Sequence, residues 1–175
     1  MSPSVFWRTT IAGVVATFTM AMTGFLAHGI GIRSFDVGAM LTADMTSLHP
    51  EAPYSLVAGN LAFYALGILL ALLWVALFRQ YVQGSWLVHG FVYGGALWLI
   101  GSVIFFPLIS DVGVFFARTR APGALLLAYG LIQLAYGFGL SLGLEVADIG
   151  ARAAERVAAE GVRLEIWPRR ERRRA

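Results

Sequence analysis

Three histidines, four acids and two amides are the residues of this chain whose chemistry could reach beyond packing. His28 and His89 could each offer an imidazole nitrogen as an axial ligand to a haem or a chlorophyll-type pigment. They fall near opposite ends of their apolar segments, on the order of 25 Å apart at 1.5 Å per helical residue, so they cannot share one haem. His28 and His49 lie toward the same side, joined by a segment of undetermined path. The structural alternative has His28 capping a helix end and His89 hydrogen-bonding across a helix pair, and the spacing favours it. Asp36, Asp44, His49, Glu51 and Asp111 could meet as an outer metal site, but their spacing matches no metal-binding loop and suits a solvated face. Asn60 and Gln133 are the strongly polar residues within apolar segments. Either they share one interhelical hydrogen bond, worth roughly 0.6–2 kcal/mol, or they line a path for a small solute.

Absences narrow the chemistry further. With no cysteine, disulfides, thiolate metal sites and cysteine nucleophiles are excluded. No apolar segment carries Asp, Glu, Lys or Arg in its middle, which counts against proton- or ion-coupled transport. A non-enzymatic role is expected.

The elements that must position these residues are helices in a bilayer. The chain is 58% hydrophobic and 13% charged, against about 25% charged in soluble domains. A hydrocarbon core about 30 Å thick needs roughly 20 apolar helical residues. Four segments qualify, at 9–32, 54–78, 85–109 and 123–144. The first is too long for a signal-peptide core of roughly 7–15 residues, so a retained helix is expected. An all-α, polytopic bundle of four transmembrane helices over 1–145 follows, with 146–175 leaving the membrane as an Ala/Arg/Glu helix ending near Gly161 and an arginine-rich tail. Pro107 helps to end the third span, and Arg79, Gln80 and Gly84 turn the chain into it.

Small residues mark where these helices meet. Gly90 and Gly94 form GxxxG with Gly101 seven residues on, and Gly139 and Gly143 continue a four-residue stripe from Ala135. Gly13 and Gly24 lie on two neighbouring small-residue stripes of the first span. These faces suit other helices, of this chain or of membrane partners. The tryptophans mostly sit near span ends, as in an aromatic belt, with Trp98 the mid-span exception.

All thirteen basic residues are arginine, and ten of them lie at Arg8, at Arg79 and after Glu145. The positive-inside rule then places both termini in the cytoplasm, as four spans require. Arg169, Arg170, Arg172, Arg173 and Arg174 suit anionic headgroups or an acidic partner, and no nucleic-acid-reading module accompanies them. Asp36-Val37-Gly38 and Asp111-Val112-Gly113 hint at two duplicated hairpins.

AGVVATFTMAMTG in the first span, HGFVYGGALWLI followed by FPLISDVGVFF, and LLLAYGLIQLAYGFGLSLG in the last resemble a family of small four-helix prokaryotic membrane proteins of unknown function. The resemblance covers 8–144 and implies the fold, in a prokaryotic cytoplasmic membrane. Members often carry a His opening the last span, where this chain has Ala128-Tyr129-Gly130. The expected function is a non-catalytic accessory subunit of a larger, bioenergetic membrane complex, partnered by lipid and other membrane subunits. The alternatives are an oligomeric small-solute carrier or channel, and a haem- or pigment-binding subunit using one His.

Overall fold

The structure, a computed structural model, describes residues 1–32, 53–109 and 111–171, with side chains placed at 1–32, 57–108 and 111–159. Helix α1 spans Pro3–Gly29, and α2 spans Pro53–Leu73. Helix α3 spans Trp86–Ile100, α4 is the short Phe106–Ile109, and α5 runs over Pro122–Glu171. The chain is all-helical among the described residues, and four of its segments are long and apolar enough to cross a membrane: Pro3–Gly29, Val57–Tyr81, Trp86–Leu108 and Pro122–Ala159. The segment holding Asp36, Asp44, His49 and Glu51 lies outside the described residues, as does half of the proposed hairpin repeat.

The bundle is apolar on the outside, and small residues line the contact face of α1. On α1 the buried positions Thr9, Ala12, Gly13, Ala16, Thr17 and Met20 recur at helical spacing, while Ile11, Val15, Phe18 and Phe25 are exposed. In water such a surface would drive aggregation; against acyl chains it is matched to its solvent. Association of the helices therefore rests on close packing and hydrogen bonds, and short side chains permit the close packing.

Both ends of α1 follow from local chemistry. Ser2 caps its start by accepting the Val5 N–H, with Pro3 in the first turn. At its end Gly31 takes φ 85°, with Gly31 N–H donating to the His28 carbonyl and Ile32 N–H to that of Ala27. That pair of bonds is a Schellman closure, and the positive φ favours glycine at this position.

Helix α5 is the centre of the bundle, packed along both α1 and α3, with α2 held against α1. Gly94 sits where an added Cβ would lie 2.7 Å from the Gln133 carbonyl oxygen and 2.8 Å from Leu134 Cα. A Cβ on Gly90 would strike Phe138, and one on Gly137 would strike the Gly90 carbonyl. The GxxxG face of α3 is thus taken up by α5. A Cβ added at Gly139 or Gly143 would lie 3.2 Å from Ala16 or Ala12 of α1, and one at Gly13 would lie 3.0 Å from Ala71 of α2. One at Gly24 would only touch Ile132, at 3.5 Å. These glycines serve contacts between helices of this chain.

Two spans depart from regular helix. A π turn, Trp74–Phe78, follows α2 and passes into a 3₁₀ turn at Arg79–Tyr81. Another, Gly101–Phe105, separates α3 from α4. Pro107 accounts for the second: it lacks the N–H an α-helix needs, and its ring crowds the carbonyl of the preceding turn. Widening that turn relieves both. Ser102 Oγ donates to the Trp98 carbonyl at 2.7 Å, giving that oxygen a partner beside the irregular turn. Helix α5 also continues past Gly161, where the sequence suggested a stop. A lone glycine costs only about 1 kcal/mol relative to alanine and does not by itself break a helix.

Candidate functional site

Thr17, Tyr129, Gln133 and Tyr136 line a cavity of about 150 Å³ bounded by α1, α2, α3 and α5. Tyr129 and Tyr136 line it, and Tyr93 packs against Tyr136. Tyr136, 1% exposed, donates its hydroxyl to the Gly67 carbonyl on α2. Tyr93 stacks on Trp74 at 4.5 Å between ring centroids and donates to the Leu70 carbonyl at 2.7 Å. Tyr129 places its hydroxyl within hydrogen-bonding reach of the Gln133 amide. Phenols buried in hydrocarbon need such partners, and a helix carbonyl has a second lone pair to give. Gly67 lets Thr17 approach closely, and Gly101 leaves room for the Tyr129 hydroxyl, which a Cβ there would strike.

The cavity wall is otherwise apolar. Phe63, Leu66 and Leu70 face Leu97 and Ile100 across it, and exposure of Ile100 (52%) and Phe105 (37%) opens it toward lipid beside α3. An apolar void of about this volume accepts a benzene-sized molecule. At the end nearest the 111–121 loop Phe106, Phe116 and Tyr129 form an aromatic cluster with centroid distances of 5.0–5.9 Å. Phe116 reaches it from the 111–121 loop, where it and Phe115 adopt φ 59° and 52°. Left-handed conformations cost L-residues roughly 1–2 kcal/mol each, and complete burial of the Phe116 ring offsets that strain. The loop is also held by an exposed Arg118–Asp111 ion pair.

Sequence-selected residues distribute unevenly around this site. Gln133 lines the cavity, whereas Asn60 is exposed on α2 and lines a separate surface groove with Val57, Leu61 and Tyr64. The two amides share neither a hydrogen bond nor a path; the Gln133 amide lies within reach of the Tyr129 hydroxyl on its own helix. Similar depth in the membrane did not imply a common face. Trp98 is a packing residue, its Nε1 donating to the Leu126 carbonyl at 3.0 Å and its ring lying on Gly130.

His28 is exposed in the last turn of α1. His89 sits at the other end of the bundle, edge-on to Trp74 at 6.5 Å. Its Nδ1 is buried without a hydrogen-bond partner, so the expected bond across the bundle is not made. Nearby, Arg79 and Asp148 pair at 2.9 Å and join the end of α2 to α5. About a third exposed, that pair contributes at most about 1 kcal/mol. Among the described residues no group of three or more His, Asp or Glu gathers as a metal site. The side chains of Arg169, Arg170, Arg172, Arg173 and Arg174 lie outside those described.

Sequence reasoning missed the tyrosines. Tyr129, Gln133 and Tyr136 stand at i, i+4 and i+7 on one helix face, a spacing that announces a polar seam inside an apolar span. Comparison with protein-family models, curated proteins and solved structures gave no match.

Proposed function

We propose that the chain is a non-catalytic subunit of a larger membrane complex, with the bundle as its anchor and the projecting part of α5 as its docking element. In this reading it lies in a prokaryotic cytoplasmic membrane with both termini inside, as the arginine distribution favours. One observation carries the proposal. Where α5 leaves the apolar region, Val146, Ile149, Ala153 and Val157 form a single stripe, with Val146, Ile149 and Val157 60%, 55% and 70% exposed, amid the charged Arg152, Glu155 and Arg156. At 1.5 Å per residue the 50 residues of α5 extend about 75 Å, more than twice a hydrocarbon core of about 30 Å. A helix continuous from the membrane cannot lay that stripe flat on the bilayer without a break, and α5 has none. A second protein is the natural cover for an apolar stripe on a charged helix.

Purification in mild detergent tests this. The wild type should bring down a stoichiometric partner, and the Ile149→Glu/Val157→Glu double variant should lose it while still eluting as a monodisperse particle. Purification of the wild type alone, or equal recovery of the partner by the variant, would refute the docking role.

The cavity supports a second reading, binding of one small lipophilic molecule that enters from the lipid between α2 and α3. The solute-carrier alternative draws less support, because Asn60 and Gln133 line separate spaces. A cavity-filling Leu97→Trp variant should abolish saturable binding of a fluorescent aromatic probe if the cavity is the site.

A further inference from the structure

A groove of about 770 Å³ runs along α5 between α1 and α3. Its floor includes Gly139 and Gly143, whose missing side chains bring α1 close, and its rims include Val15 and Leu142, 49% and 45% exposed. From Arg8 to Thr19 the groove follows α1 for roughly 16 Å at 1.5 Å per residue. That is about half of a hydrocarbon core of about 30 Å, the depth of one leaflet. At the mouth stand Arg8 and Trp86, one cation and one indole at the level where headgroups begin. Arg8 makes no ion pair among the described residues. The acids on the adjoining stretch of α5 are engaged elsewhere, Asp148 with Arg79 at 2.9 Å and Glu145 with Arg152 at 3.9 Å.

We propose that this groove is a binding site for a glycerophospholipid of the leaflet facing Arg8, with the phosphate on the Arg8 guanidinium and one acyl chain along Val15, Gly139 and Leu142. A guanidinium presents paired N–H donors that match a phosphodiester, and it is more weakly hydrated than an ammonium. The apolar length below it matches a chain that stops at the bilayer midplane. Charge separates this occupant from a second copy of the protein. In a neighbouring copy the acids nearest this level, Glu145 and Asp148, already pair with Arg152 and Arg79 of their own chain. A phospholipid always brings its phosphate.

Native mass spectrometry of the detergent-purified protein, titrated with phosphatidylglycerol, tests the site. One lipid per chain should persist at collision energies that strip the others. Arg8→Gln should lower its retention by roughly fivefold, the weight of one interfacial arginine on an anionic headgroup. Val15→Trp and Leu142→Trp, which fill the groove from its exposed rims, should lower it as much. Leu69→Trp, on the exposed face of α2, should leave it unchanged. Diacylglycerol, with the chains but no phosphate, should not be retained. Equal retention by Arg8→Gln and wild type, or equal retention of diacylglycerol, would overturn the proposal. A wild-type dimer that Val15→Trp dissociates would give the groove to a second copy and overturn it as well.

Discussion

Gly94 and Gly95 are adjacent on α3, yet adding one methyl to each should have opposite results. At Gly94 the new Cβ would lie 2.7 Å from the Gln133 carbonyl oxygen, and the obstacle is backbone, which cannot rotate aside. At Gly95 it would meet nothing within 4 Å. To restore ordinary contact, α3 and α5 must separate by roughly 0.5–1 Å, which forfeits about a quarter to a half of the dispersion energy at each displaced contact. With several tens of atom pairs at about 0.1–0.2 kcal/mol each, the loss is about 1–4 kcal/mol. It agrees with the range of roughly 1–3 kcal/mol for overpacked cores. Alanine returns at most about 1 kcal/mol through helix propensity. Gly94→Ala should therefore destabilise the bundle by about 1–3 kcal/mol, while Gly95→Ala is neutral or stabilising by up to about 1 kcal/mol. Reversible unfolding in mixed micelles, followed by tryptophan fluorescence, measures both. Equal stabilities for the two variants would refute the claim that the α3–α5 crossing rests on backbone contact at Gly94.

Two further pairs of outcomes follow from the same geometry. Phe115 and Phe116 share left-handed backbone but differ in burial, 40% against 0% exposed. Asparagine tolerates that conformation, so Phe115→Asn should stay within about 1 kcal/mol of wild type in thermal unfolding. Phe116→Asn should cost about 3 kcal/mol or more by emptying the aromatic cluster. His89→Leu removes a buried nitrogen without a partner, whose burial costs about 1–3 kcal/mol, so stability should be unchanged or raised. If His89 instead ligates a haem or pigment, the wild type will show a Soret or near-infrared band that His89→Leu abolishes.

The spans were legible because hydropathy is summed over some twenty residues and tolerates local error. Their irregular turns were legible only in part. Pro107 is a visible cause for the π turn at Gly101–Phe105, but Trp74–Phe78 holds neither proline nor glycine, and its widened turn depends on what surrounds it. Glycines announce close approach without naming the neighbour. Gly90 and Gly94 could have met another protein; Gly137, one heptad after Gly130, is the residue on α5 that receives them. Polar residues were harder. Depth along a span follows from counting, whereas the face a residue presents depends on helix rotation, which separated Asn60 from Gln133. Arg8 read as a topology signal, and its place at the mouth of a groove needed α1, α3 and α5 together.

Why the central cavity survives in a bundle built for close packing follows from what bounds it. At one end Tyr93 and Tyr136 tie α2 to α3 and α5 through the Leu70 and Gly67 carbonyls. Those bonds fix the distance between α2 and its neighbours by the length of a phenol, longer than any Gly–Gly contact elsewhere in the bundle. At the other end Phe106, Phe116 and Tyr129 wedge together, with the strained loop supplying the third ring. Between these two supports the apolar walls cannot collapse without breaking buried hydrogen bonds in a medium that offers no replacement donors. The void is therefore a consequence of rigid spacers, and loose packing does not account for it. The same argument locates its weak point. Gly67 and Gly101 are the positions where one methyl would strike Thr17 and the Tyr129 hydroxyl, so substitution at either shifts a spacer and changes the cavity before it changes the fold.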